Sequence, residues 1–153
     1  MKIALRRDAA TGATALQRLF CKLIKLRLVS QFCHGGVVID GTLYHITATH
    51  GPHTLGPGKW NPDAWVLVEV GGDDAKAIEL FNDFREPPLG LFRRAIYKLV
   101  NGYDWFSLLA FVGPMIRVGW LMYCFELCWL MRKGESPTFR VTPEMLILGA
   151  THD

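Results

Sequence analysis

The chain has 153 residues and a mass of 17.3 kDa, with half of its residues apolar or aromatic and 20% charged. That mix suits one domain spanning residues 1–153 with a sizeable core, and it excludes a disordered tail, a collagen-like repeat and a polar linker. Seventeen Lys plus Arg against fourteen Asp plus Glu leave a net charge of +3, without the dense basic stripe that nucleic-acid binding requires.

Mean hydropathy is +0.18, so membrane insertion has to be considered. The most apolar stretch, from Trp105 to Met131, is interrupted by Pro114 and Arg117 and contains Glu126. A spanning helix needs about 18 to 20 apolar residues in a row, and no such run exists. The start, Met1-Lys2-Ile3-Ala4-Leu5-Arg6-Arg7-Asp8, becomes charged before a signal-peptide apolar segment forms. The expectation is a protein that is cytoplasmic when synthesised. Cys21, Cys33, Cys124 and Cys128 are therefore expected as reduced thiols, and no Cys-x-x-Cys pair suggests a zinc ribbon.

In chain order, Lys2 to Arg6 reads as a first strand, followed by a turn at Thr11-Gly12. A helix is predicted from about Ala13 to Val29. Leu16, Leu19, Phe20, Leu23 and Ile24 recur at helical spacing, with Arg18, Lys22 and Lys25 on another face. The plain reading is packing on a sheet; the functional one is peripheral membrane contact through this basic amphipathic helix. Gly35 to Ile39, Asp40-Gly41 and Thr42 to Ile46 then form the clearest hairpin. With Asp40 and Gly41 as the loop, Ile39 faces Thr42 and Gly36 faces His45. Side-chain alternation puts His34 and His45 on one surface as diagonal neighbours.

His50, Gly51, Pro52, His53, Gly56 and Pro57 read as a loop. Its His-x-x-His has no carboxylate or thiol at a familiar ligand spacing, so no metal is expected there. No cofactor motif is present. Ala64 to Val70 reads as a strand. A helix capped by Asp73 or Asp74 runs to about Phe84 and stops before Pro87-Pro88. Leu91 to Val100 is a further helix ending at Asn101-Gly102. Asp104 would cap a helix from Trp105 to about Val112. Another begins near Cys124 and closes at Arg132-Lys133-Gly134. Thr138 to Val141 reads as a strand, and Thr142-Pro143-Glu144 as a helix start. The fold class is α+β, with a small, largely antiparallel sheet packed with helices.

Thiolates are favoured at helix N-termini beside histidine, which singles out Cys124; its own N–H would serve as an oxyanion contact. Cys128, one turn later, and Cys21 read as packing thiols, while Cys33 points away from the surface of His34. His34 is the candidate base and His45 the group that orients it. Tyr103 and Tyr123 read as packing aromatics rather than hydrogen-bond donors to a substrate, and Glu126 as a partner of the helix dipole.

The run Ser30-Gln31-Phe32-Cys33-His34-Gly35-Gly36-Val37-Val38-Ile39, with Tyr103-Asp104-Trp105 and Tyr123-Cys124-Phe125-Glu126-Leu127 later, resembles the circularly permuted papain-like cysteine hydrolases. These are relatives of the NlpC-type cell-wall peptidases and of the lecithin retinol acyltransferase group. Val141 to Leu146 resembles the closing segment of compact members, several of which are encoded by bacteria and phages. The resemblance implies a permuted papain-like fold and a cysteine hydrolase cleaving an amide bond through an acyl-enzyme. Cys124 matches the nucleophile, His34 the base and His45 the polar third residue. Peptide, peptidoglycan fragment or acyl compound are the implied substrates, and a cell-wall substrate implies release by lysis or a virion location. Two alternatives stand beside this reading: a lipid-directed acyltransferase or thioesterase, and a catalytically silent binding or inhibitory protein. The latter is motivated by Phe125, where many permuted members carry a small polar residue.

Overall fold

The computed structural model describes residues 1–47, 49–87, 90–102 and 122–148. The helix expected after Asp104, and Tyr103 itself, lie outside the described residues. In chain order the elements are β1 (Lys2–Arg6), α1 (Ala15–Leu28), β2 (His34–Ile39), β3 (Thr42–Thr47), β4 (Gly51–Leu55), a 3-10 turn (Pro62–Ala64) and β5 (Val66–Glu69). They are followed by α2 (Asp74–Arg85), α3 (Leu91–Leu99), α4 (Cys124–Lys133) and α5 (Pro143–Leu148). The architecture is α+β: five antiparallel strands in the order β4-β3-β2-β1-β5, packed with helices. Among the described residues no helix is long and apolar enough to cross a membrane.

The Asp40–Gly41 turn sets the register. Both residues adopt positive φ, 49° and 74°, as a tight two-residue hairpin loop requires. Ile39 therefore pairs with Thr42 and Gly36 with His45, as the turn chemistry predicts. Alternation then divides the sheet. Ile3, Leu5, Val37, Ile39 and Ile46 point into the main core with Phe81 of α2 and Phe125, Leu127 and Met131 of α4. Ala4, Val38 and Leu43 form a smaller cluster with Leu55, Trp60 and Trp65 on the other surface.

Local signals fix the helix ends. Thr14 accepts the Gln17 N–H at 3.2 Å while the Gln17 side chain accepts the Thr14 N–H at 2.8 Å, a reciprocal cap. Asp73 caps α2 by accepting the Lys76 N–H at 3.0 Å. Gly134, at φ 80°, closes α4.

Four expectations need correction. The 50–57 segment is not all loop, because Gly51–Leu55 forms β4 against β3. Pro52 is tolerated because β4 is an edge strand and pairs on one side only. Thr138 to Val141 is not a strand; the Val141 carbonyl instead accepts the Tyr123 hydroxyl at 2.7 Å. The inward face of α1 is Cys21, Ile24 and Leu28, whereas Leu16 and Leu19 are 60% and 51% exposed. Finally, Cys21 and Cys33 form a disulfide. α1 brings their Cα atoms to 5.0 Å, within the range a disulfide can bridge.

Candidate functional site

The hairpin register delivers two imidazoles to one place. His34 opens β2 and His45 lies in β3, and His34 Nε2 stands 3.0 Å from His45 Nδ1. Gly36, paired with His45, is needed for this approach: a Cβ there would lie 3.1 Å from His45 Cβ and 2.9 Å from the Tyr44 carbonyl oxygen. Trp65 closes over both rings, at 5.5 Å from His34 and 6.4 Å from His45. Arg6, the strand partner of His34, lies over Trp65.

Burial sets the protonation of the pair. The His34 imidazole is pushed down to about 4 by burial, with Arg6 and His53 adding repulsion. His45 is pushed down to about 2, again chiefly by burial and then by its histidine neighbours. Both rings are therefore neutral at pH 7. Among the described residues the buried His45 Nε2 has no hydrogen-bond partner, while the His53 ring lies 4.1 Å from the His45 ring. The His53 Nδ1–H donates to the Gly51 carbonyl at 2.8 Å.

A cavity of about 650 Å³ opens beside the pair. His34 and His45 share its wall with Leu16, Phe20 and Ile24 of α1 and with Leu55, Trp60 and Trp65. The Cys21–Cys33 disulfide is also in the wall. This explains why the predicted apolar face of α1 is only partly packed: Leu16 and Phe20 line a hollow. Its volume and apolar lining with a few polar groups are those of small-molecule sites.

Cys124 begins α4 and is 1% exposed. α4 lies across β2 from the histidines. Gly35 points to it, and a Cβ on Gly35 would fall 2.6 Å from Phe125 Cδ1 and 3.4 Å from Cys128 Sγ. Phe125, the residue after Cys124, therefore packs on Gly35, the residue after His34. Cys124 is not among the described residues that line the histidine cavity.

The other residues singled out in the sequence have structural duties. The Cys128 thiol is fully buried, which pushes it up well out of the reactive range. Tyr123 is 2% exposed with its hydroxyl donated to Val141. Glu126 accepts the Tyr123 N–H at 3.4 Å, part of the first turn of α4. His53, weighed in the sequence only as part of a His-x-x-His pair, and Trp65 join the site only in the fold. Trp65 carries only a strand signal, and Gly-Pro-His-Thr carries no strand pattern that would bring His53 to the site. No protein-family model, curated protein or solved structure matches the chain.

Proposed function

We propose that this chain is a cysteine hydrolase of permuted papain-like fold that cleaves an amide bond through Cys124, His34 and His45. The single observation that carries the reading is the 3.0 Å contact between the two imidazoles on the hairpin. It supplies a base together with the group that orients it, as a triad requires. Cys124 opens α4 in the core behind β2, and the proposed reaction requires its thiol to reach the His34 imidazole at the start of that strand.

The proposed chemistry starts from the hydrogen bond between the two imidazoles. The reaction uses the tautomer in which His34 Nε2–H donates to His45 Nδ1, so that His34 Nδ1 is unprotonated and able to take a proton. With the ring neutral at rest, the starting pair is thiol and imidazole. His34 removes the Cys124 proton as sulfur attacks the carbonyl carbon. The oxyanion is held by N–H groups at the start of α4. The C–N bond breaks and the amine leaves with the proton from His34, giving a thioester. Water, deprotonated by His34, then attacks the thioester and releases the carboxylic acid and the thiol.

A second reading is favoured by one feature, the apolar cavity bordered by both imidazoles. It suits an ester or thioester whose hydrocarbon chain fills the hollow, so that the same residues would serve a thioesterase or acyltransferase. The disulfide of Cys21 and Cys33 suits a protein that meets an oxidising environment after synthesis, as release by lysis or a place in a virion would provide.

The test is alkylation with iodoacetamide followed by peptide mapping, alongside assays on peptidoglycan fragments and acyl thioesters. A working site gives Cys124 labelling that depends on pH and falls at least tenfold in His34→Ala, with Cys124→Ala inactive on every substrate. Labelling of Cys124 and Cys128 at equal, unfolding-limited rates in a folded protein would leave a binding protein in place of an enzyme.

A further inference from the structure

A second cavity, of about 210 Å³, lies where three separate elements end. Arg85 comes from the last turn of α2, Lys98 from the last turn of α3, and His50 from the turn between β3 and β4. Gly51, Pro52, Tyr97 and Asn101 complete the described wall, which contains no carboxylate. A basic residue in a helix's last turn has an ordinary explanation, since it faces the carbonyl end of the helix dipole. That accounts for Arg85 or Lys98 taken singly. It does not account for two helix ends and a histidine turn converging on one hollow.

The walls are held in place by features that leave the cations uncommitted. Gly51 adopts φ 68°, and a Cβ there would fall 2.8 Å from the Asn101 carbonyl oxygen, so the turn is pressed against the end of α3. Asn101 Nδ2 donates to the Thr49 carbonyl at 3.1 Å across the same contact. The Tyr97 hydroxyl is spent on the Phe84 carbonyl at 2.6 Å, which ties α3 to the end of α2. Among the described residues, neither Arg85 nor Lys98 forms an ion pair. His50 uses Nδ1 toward Thr49 Oγ1 at 2.9 Å, leaving Nε2 for another partner.

We propose that this cavity is a binding site for a phosphate group, held by Arg85 and Lys98 with His50 as the third donor. A phosphate offers oxygens in several directions to donors from three elements, where a flat carboxylate offers two. Arg supplies a planar fork and Lys a point charge, a combination suited to phosphate. The phosphate belongs either to a soluble phosphomonoester or to a lipid headgroup, and both present the same oxygens. The proposal does not rest on the reading given for Cys124, His34 and His45, although His50 also borders the larger cavity.

The test is titration of the full chain with inorganic phosphate, followed by calorimetry and amide NMR. Arg85→Gln and Lys98→Gln are compared, since both side chains are exposed and neither change should disturb folding. Phosphate should bind with shifts at His50, Lys98 and Asn101, and each variant should weaken it at least tenfold. Flotation with phosphatidic acid vesicles identifies the source. Capture that free phosphate competes away, and that both variants lose, assigns a headgroup; phosphate binding without vesicle capture assigns a soluble ligand. Absence of phosphate binding, equal binding of acetate, or binding unchanged in the two variants would each overturn the proposal.

Discussion

His45 is packed against Trp65 and His53 and touches His34 through one nitrogen. In the proposed reaction it orients the base without touching substrate, so removing it should slow chemistry more than binding. His45→Ala is expected to lower kcat by about 10- to 100-fold, with KM little changed, and His45→Gln to recover part of the loss. The low basicity of both rings has a sign that can be checked. Between their ordinary value of 6.5 and the buried values of about 4 and 2, the unfolded chain binds protons that the native state refuses. Stability is therefore full above pH 6.5 and falls as pH drops below it. Urea melts between pH 4 and 7 should show this slope, and the His34→Ala, His45→Ala double variant should flatten it. Under the proposed chemistry, the acid limb of kcat/KM falls near pH 4 rather than 6.5. At Gly35 the prediction is steric. Gly35→Ala sets a methyl group 2.6 Å from the Phe125 ring and should cost about 1–3 kcal/mol by overpacking, read as a lower urea midpoint.

The elements differ in how openly the sequence announces them. The β2–β3 hairpin was legible to the residue because Asp-Gly allows few turn geometries and fixes every later pair. The caps at Asp73 and Thr142 and the glycine stop at Gly134 were legible for the same local reason. β4 was not, since Gly51 and Pro52 carry turn chemistry and only the free edge of β3 makes a strand of them. The 138–141 segment failed in the opposite direction: its β-prone residues find no sheet edge among the described residues. The candidate site was half legible. Alternation placed His34 beside His45, but contributions from separate elements, such as His53 and Trp65, depend on how the strands assemble. The Cys21–Cys33 bond is not legible in the sequence, because only the folded α1 creates the proximity. That bond closes a loop with a sequence separation of 12, and reducing it should lower stability by about 3 kcal/mol. Urea melts with and without reductant, repeated on Cys21→Ser, Cys33→Ser, will measure it.

Across the whole molecule, the sheet divides the labour. One surface is a dense core with α2 and α4; the other carries the histidines and the large hollow. If the hollow accepts a hydrocarbon chain, a ligand such as dodecanoate should raise Tm by on the order of 5 °C at a hundredfold excess over Kd. Leu16→Lys, a change at an exposed position on the rim, should abolish that shift while leaving the unliganded Tm unchanged. The strand order also bears on biosynthesis. β1 is made first, yet it sits between β2 and β5, and Lys2 pairs with both Val38 and Glu69. While the ribosome is still reading toward residue 69, β1 has one edge unclaimed, with Ile3, Ala4 and Leu5 beside it. A nascent chain stalled in that interval presents an apolar template to its neighbours, so slow translation before β5 should favour inclusion bodies over the folded product.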